Sequence, residues 1–223
     1  MTAAAPRVVL ASGSPQRAEL LRKLGIEFEV VVPGVEELTG GDPELEVLEN
    51  ARRKAKAVAD SASRAGGVVG GTAPEDALAT AGGGGSPAAT GPARQQRPAR
   101  LIVACDTDVV LDGSALGKPR DAGESRAYLD RMSGRAHEVL SGLVVLVAGE
   151  ERSGLERTTV VFKALSDAEK QRYVDFGEWQ DRSGGYAIQT LGSTLVERVE
   201  GSVSNVVGLP VGLLLDLAPE LLR

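Results

Sequence analysis

Aromatic residues make up only 3% of this 223-residue chain, and it holds one cysteine, Cys105, and one histidine, His137. A lone cysteine excludes an internal disulfide and any multi-cysteine zinc site. A lone histidine has no second histidine to join it as a metal ligand, and no histidine-based triad pattern surrounds Ser12 and Ser14, which argues against serine-hydrolase chemistry. The pattern G-x-x-x-x-G-K-[ST] is missing, so the chain is not a Walker-type P-loop enzyme. No apolar run approaches membrane-spanning length, and the opening MTAAAPRVVLASGS lacks the apolar core of a signal peptide. A cytoplasmic protein with no membrane contact is expected. A formal net charge of -6 argues against a broad basic face for nucleic acid. It leaves room for a small polyanion met by a few local cations and a metal.

What is present is enough for a real core, with 42% hydrophobic residues over a length that suits one domain or at most two small ones. Val8 to Ala11 reads as a short buried strand that stops at the polar run SGSPQR. Ser14 is a good N-cap and Pro15 stands at the first helical position. Leu20, Leu21 and Leu24 supply an apolar face, and Gly25 is a natural stop. A strand, tight loop and helix of this kind is either an ordinary capped turn or an anion site. Backbone N–H groups, serine hydroxyls and Arg17 would then gather at the positive end of the helix.

IEFEVVV (26–32) alternates as a strand ending at Pro33, and Asp42-Pro43-Glu44 starts a helix running to about Ala59, with Leu48, Ala51, Ala55 and Val58 in its apolar stripe. From about Ser63 to Pro98 the chain is dominated by Gly, Ala and Pro without any period. It reads as a flexible loop inserted within a single domain spanning 1–223. LIVAC is a buried strand that runs through Asp106-Thr107-Asp108 to an Asp112-Gly113 hairpin turn. Asp121 and Glu124 form a capping-box pattern for a helix ending near Met132. HEVLSGLVVLV and RTTVVFKAL read as strands, Ser166 and Glu169 open another helix that Gly177 closes, and short strands with glycine turns precede a last helix from Pro210. No internal repeat is apparent. The mixture predicts an α/β or α+β fold on one long mixed sheet.

Several residues could carry chemistry. Asp106 and Asp108 leave a buried strand together, where carboxylates can hold a hard cation such as Mg²⁺ or act as a base, or simply be solvated at a strand end. Glu36 and Glu37 are a second acidic pair in a loop. Lys54 borders the buried stripe of its helix beside Val47, Ala51 and Val58, either snorkelling or aimed at a site. Lys118 lies in the constrained turn Gly117-Lys118-Pro119. Cys105 reads as a small core residue and His137 as structural. Taken together, a serine-rich helix start, the cations Arg17, Lys54 and Lys118, and several carboxylates suit a metal-bound polyphosphate, with an aspartate to activate water.

The stretches LASGSPQRAELLRKLGIEFEVVVPGVEE, ARRKAKAVA, CDTDVVLDGSALGKPRDAGESRAYLDRMSGRAHEVLSGLVVL and GGYAIQTLGSTLVERVEGSVSNVVGLP together resemble the Maf family of nucleoside triphosphate pyrophosphatases. The match runs in order along nearly the whole chain apart from the Gly/Ala/Pro insertion. The resemblance implies a fold like that of the inosine triphosphate pyrophosphatases, a long mixed sheet with flanking helices, two lobes and a central cleft. It implies cleavage of the α–β phosphoanhydride to a monophosphate and pyrophosphate, with Mg²⁺ or Mn²⁺. The family's name comes from an effect on septum formation, and a homodimer is left open.

Carried over position by position, Ser12, Ser14 and Arg17 match the S-x-S-P-x-R loop that holds phosphates, and Glu37 matches a metal-ligating acid. Lys54 matches the lysine of A-x-x-K-A and Lys118 that of G-K-P, both expected to serve catalysis. Asp106 matches the proton acceptor of A-D-T and a metal ligand. Thr107 and Gln189 resemble the branch acting on dTTP and UTP. Gln16 stands where that branch usually has arginine, and Thr190 where it has glycine. The branch acting on 7-methyl-GTP tends to have glutamine in place of Thr107 and glutamate in place of Gln189. Two other classes remain: a glycosyltransferase using Asp106 and Asp108 as a DxD motif, and a non-catalytic division regulator that needs no Asp106.

Overall fold

The computed structural model describes residues 7–66 and 100–222, of 64–66 the backbone alone. Most of the Gly/Ala/Pro segment therefore lies outside the described residues. Seven strands form one mixed sheet in the order β2-β1-β3-β5-β6-β7, with β4 paired to β3. The first half comprises β1 (Arg7–Leu10), α1 (Pro15–Lys23), β2 (Phe28–Val30), α2 (Pro43–Gly66), β3 (Arg100–Leu111) and β4 (Ser114–Ala115). Then come α3 (Ala122–Met132), β5 (Ala136–Val147), β6 (Glu150–Phe162), α4 (Asp167–Phe176), β7 (Val196–Glu200), α5 (Val203–Val207) and α6 (Val211–Leu217). Strand β1 runs parallel to both β2 and β3, and the remaining pairs are antiparallel. Among the described residues, no helix is long and apolar enough to cross a membrane.

The long strands β3 and β5 serve two different cores in succession. Over the first stretch of β3 and the antiparallel last stretch of β5, alternate residues face opposite ways, as pleating requires. Leu101, Val103 and Cys105 pack with Leu143 and Val145 against Ala18 and Leu21 of α1 and Leu214 of α6. On the other face, Ile102, Ala104 and Val144 meet Ala51, Ala55 and Val58 of α2. Farther along, Val109, Leu111 and Val139 enter a separate core with Leu129, Met132, Phe162, Tyr173 and Tyr186. Asp106, Thr107 and Asp108 fall between the two cores, where polar side chains can be tolerated and a cleft opens.

Several local expectations needed correction. The strand over 26–32 is only Phe28–Val30, paired with Val8 to Leu10 of β1, which itself ends at Leu10. Past that register Val32 is 68% exposed, whereas Ile26 and Phe28 pack against the core beside α1. Helix α2 passes Ala59 and Ser63 and reaches Gly66. Ser14 stands at the N-cap of α1 but does not cap with its side chain, since its hydroxyl donates instead to Gln16 Oε1 at 2.9 Å. Asp121 caps α3, yet Glu124 reaches back to the amide of Arg120, so the box is displaced by one residue. The region after Gly184 forms two 3₁₀ turns before β7, where short strands were expected. The hairpin at Asp112-Gly113 has positive φ at both residues, 54° and 75°, as a type I′ turn requires. The reciprocal box at Ser166 and Glu169 is present, and Gly177 closes α4 in the left-handed region.

His137 is buried in β5, as its strand position suggested. Its Nε2 lies 2.9 Å from the Tyr186 hydroxyl, and its ring meets Phe162 edge-on at 4.8 Å. Burial pushes its pKa down from 6.5 to about 4. As pH falls, the unfolded chain therefore takes up this proton before the folded one does. The contribution is fully present above about 6.5 and is lost progressively as pH falls towards 4. Wild type should lose up to about 3 kcal/mol from this group over that window. His137→Phe should show a correspondingly flatter dependence of urea-unfolding free energy on pH, and an unchanged slope would exclude the effect.

Gly142 of β5 lies opposite Asp106 of β3. A Cβ built there would collide with the backbone of Val47 and Leu48 in α2. The helix thus sits on the sheet at a distance that only glycine permits. Gly142→Ala should lower unfolding free energy by about 3 kcal/mol, at the upper end of overpacking costs, as read by urea denaturation.

Candidate active site

The cleft between the two cores has a volume of about 560 Å³. Its chemistry begins with α2, whose inner face carries Lys54, a lysine only 7% exposed. The Lys54 Nζ lies 2.5 Å from Asp106 Oδ1 and 2.5 Å from Glu37 Oε1. The half-exposed loop acid and the buried strand acid therefore converge on one point. Lys54 aims at the site, and the snorkelling alternative is set aside.

The turn before α1 makes the opposite wall. Ser14, Gln16 and Arg17 line the cleft. With no side chain capping α1, its first-turn N–H groups remain available at the positive end of the helix dipole. Ser12 is placed differently: its hydroxyl is buried behind the turn, accepting from the Ser14 amide and from Arg17 Nη1, both at 3.1 Å. Arg17 is clamped as well, donating through Nε to the Gly208 carbonyl at 2.7 Å and through Nη2 to Thr107 Oγ1 at 3.2 Å. Thr107 also shares a hydrogen with Ser141 Oγ at 2.8 Å. Its hydroxyl thus belongs to the floor that fixes Arg17.

Exposed Lys118, on the turn after β4, and exposed Gln189, after the first 3₁₀ turn, line the far side of the same cleft. The structure thus gathers every predicted site residue around one cavity, with Ser12 one layer behind.

The two aspartates of β3 are not equivalent. Asp106 is tied to Lys54 and, through Oδ2, to Asn50 Nδ2 at 3.0 Å. Asp108 accepts from Ser183 Oγ at 2.6 Å. Burial first, and then the charges of Asp106, Glu37 and Glu46, push Asp108 up to about 6 against that hydrogen bond. One carboxylate is held by cationic and amide donors, while the other stands where charge is disfavoured. That asymmetry weakens the reading of the pair as a matched DxD metal clamp.

Polar cleft residues that sequence reasoning missed include Glu46, Asn50, Asp181, Arg182 and Ser183. A signal existed for two of them. Glu46, Asn50 and Lys54 recur every four residues on one helix, beside the apolar stripe, where polar side chains are costly unless satisfied. Arg182 and Ser183 carried none, because only the chain's return from α4 brings them to β3.

A family model described as Maf-like protein matches residues 7–221. A protein of Deinococcus radiodurans named dTTP/UTP pyrophosphatase is 41% identical over 214 residues, covering 96% of this chain and 92% of that protein. Proteins of the same name from Anaeromyxobacter dehalogenans strain 2CP-1 and Myxococcus xanthus are each 40% identical. The former covers 93% of this chain and 90% of the relative, and the latter 92% and 87%.

Removing the cation from between two acids should cost stability chiefly through the buried one. Lys54→Met is expected to lower unfolding free energy by about 3 kcal/mol. Adding Asp106→Asn should restore much of that loss, because the stranded charge is then gone. A double-mutant cycle by urea denaturation measures the coupling, and additive losses would show that the pair is not coupled.

Proposed function

The chain belongs to the Maf-like protein family, and from that premise we propose that it hydrolyses pyrimidine nucleoside triphosphates to the monophosphate and pyrophosphate. The observation that carries this reading is the convergence of Glu37 and Asp106 on Lys54, across the cleft from the uncapped start of α1. A triphosphate needs cations and N–H donors along its oxygens and a base beside the attacked phosphorus. The cleft supplies both kinds of group on facing walls. The names of the relatives, dTTP/UTP pyrophosphatase, support the substrate class.

In this mechanism Arg17, Lys118 and the first-turn amides of α1 bind and orient the phosphate chain. Asp106 accepts a proton from the attacking water, while the α–β bridging oxygen leaves with the pyrophosphate. Lys54 offsets the negative charge that gathers between the carboxylates and the phosphates. Gln16 and Gln189 offer amide donors and acceptors to the base or ribose, and Thr107 keeps Arg17 in place.

The donor set also fits a divalent Mg²⁺ or Mn²⁺ ion. Its ligands are carboxylate oxygens, and the acids Glu37, Glu46, Asp106 and Asp108 line the cleft that must accept an anion. Among the described residues, no group of three or more acids, histidines or cysteines forms a closed cage. An ion of this kind would need only one or two carboxylates from the protein if the substrate supplied the other oxygens. Glu37 and Asp106 would hold it. When bound, such an ion neutralises phosphate charge and polarises the P–O bonds.

Purified protein with Mg²⁺ and a nucleotide panel should release pyrophosphate from dTTP or UTP in preference to ATP or GTP. Asp106→Asn should lower turnover by about a hundredfold or more with the fold intact. Gln16→Arg should sharpen the pyrimidine preference, because a guanidinium forms charge-assisted hydrogen bonds that an amide does not. A wild type that favours 7-methyl-GTP or another purine triphosphate in kcat/KM would overturn the substrate assignment. Near-normal release by Asp106→Asn would overturn the base.

A further inference from the structure

Asn50 occupies the middle of the polar series Glu46, Asn50 and Lys54 on α2, and it is only 2% exposed. Its Nδ2 donates to Asp106 Oδ2 at 3.0 Å and to the Leu38 carbonyl at 3.1 Å. Its Oδ1 accepts from the Leu38 amide at 2.7 Å. The partners set the amide orientation, since Leu38 N–H can only donate and the Asp106 carboxylate can only accept. One turn earlier, Glu46 Oε1 accepts from the Gly41 amide. The loop that bears Glu37 is thus fastened to α2 at two points. The first of them, Asn50, is also bonded to the buried acid of β3.

We propose that Asn50 is a positioning residue for the hydrolysis. It holds Asp106 through Oδ2 while Lys54 holds Oδ1, so the carboxylate cannot swing about its Cβ–Cγ bond. The same amide ties the loop bearing Glu37 to that frame. With each oxygen already accepting one bond, the carboxylate keeps one lone pair free on each, in a direction fixed for an incoming water. Loop and base both bond to this side chain, beside the Lys54 bridge, so the distance between Glu37 and Asp106 is fixed before substrate arrives. This role rests on Asp106 acting as the base.

Two variants of the full chain separate positioning from mere packing. Asn50→Leu keeps approximate volume and removes every hydrogen bond. Asn50→Asp keeps an acceptor for the Leu38 amide but replaces the donor to Asp106 with a second carboxylate. Hydrogen exchange at Leu38 and steady-state pyrophosphate release from dTTP are measured for both, with circular dichroism and thermal melting to check folding. In Asn50→Leu, protection at Leu38 should fall about tenfold or more. Its kcat should fall about tenfold to a hundredfold, with KM changed less than about threefold. In Asn50→Asp, protection should persist while kcat falls by a similar factor, a split that a purely structural tie would not give. Unchanged protection in folded Asn50→Leu overturns the proposal, as does near-normal kcat in Asn50→Asp or a loss confined to KM. If Asn50→Leu does not fold, Asn50→Asp alone decides. A wild type without pyrophosphate release would overturn the hydrolase reading and this role with it, whereas active wild type with active Asn50→Asp overturns this role alone.

Discussion

The ammonium of Lys54, held between Glu37 and Asp106, is the contact on which the site depends. A buried charge pair is tolerated only when its geometry is good and its remaining polar atoms are satisfied. Both conditions place demands on parts of the chain distant in sequence. Lys54 must be carried close to β3, which requires α2 to lie against the sheet at Gly142, where any side chain would meet the helix backbone. The second oxygen of Asp106 must find a donor, and Asn50, one turn before Lys54, provides it.

The sheet contributes the complementary constraint. β3 and β5 each run through two cores, and the junction between them is the only stretch of β3 where consecutive polar residues can stand without being sealed in. Asp106, Thr107 and Asp108 occupy that junction. Their different surroundings follow from it: Asp106 faces α2, Thr107 points to Arg17 and Ser141, and Asp108 lies beside Ser183. Arg17 then links α1 to the loop after α5 through Gly208. One wall of the cleft is therefore held by hydrogen bonds between segments nearly the whole chain apart.

A polyanionic substrate and an acidic cleft would repel each other without intervening cations. Lys54, Arg17, Lys118 and Arg182 supply four on the cleft walls, against Glu37, Glu46, Asp106, Asp108 and Asp181. A near-balance of this kind lets a polyanion approach without strong repulsion. A net charge of -6 on the chain therefore says little about the charge of this cavity.

Much of this was legible in the sequence wherever local physics governs. The strand–turn–helix at Ser14-Pro15, the Asp112-Gly113 hairpin, the Ser166–Glu169 box and the Gly177 stop each depend on a few neighbouring residues, and each is found where its chemistry put it. The candidate residues Arg17, Lys54, Asp106 and Lys118 were also visible, because charged residues beside buried runs stand out. Tertiary structure decided what those residues touch. Strand β2 stops at Val30 opposite the end of β1 at Leu10, and Ser14 fails to cap because its hydroxyl bonds Gln16. Ser12 lies behind the turn, where Arg17 needs an acceptor. Asn50 looked like one more polar helix residue until the fold laid Leu38 on one side of it and Asp106 on the other. Local propensity depends on neighbours along the chain, which the sequence contains. Hydrogen-bond partners separated by scores of residues depend on how helix and sheet close upon each other, and that closure is set only when the two cores are packed.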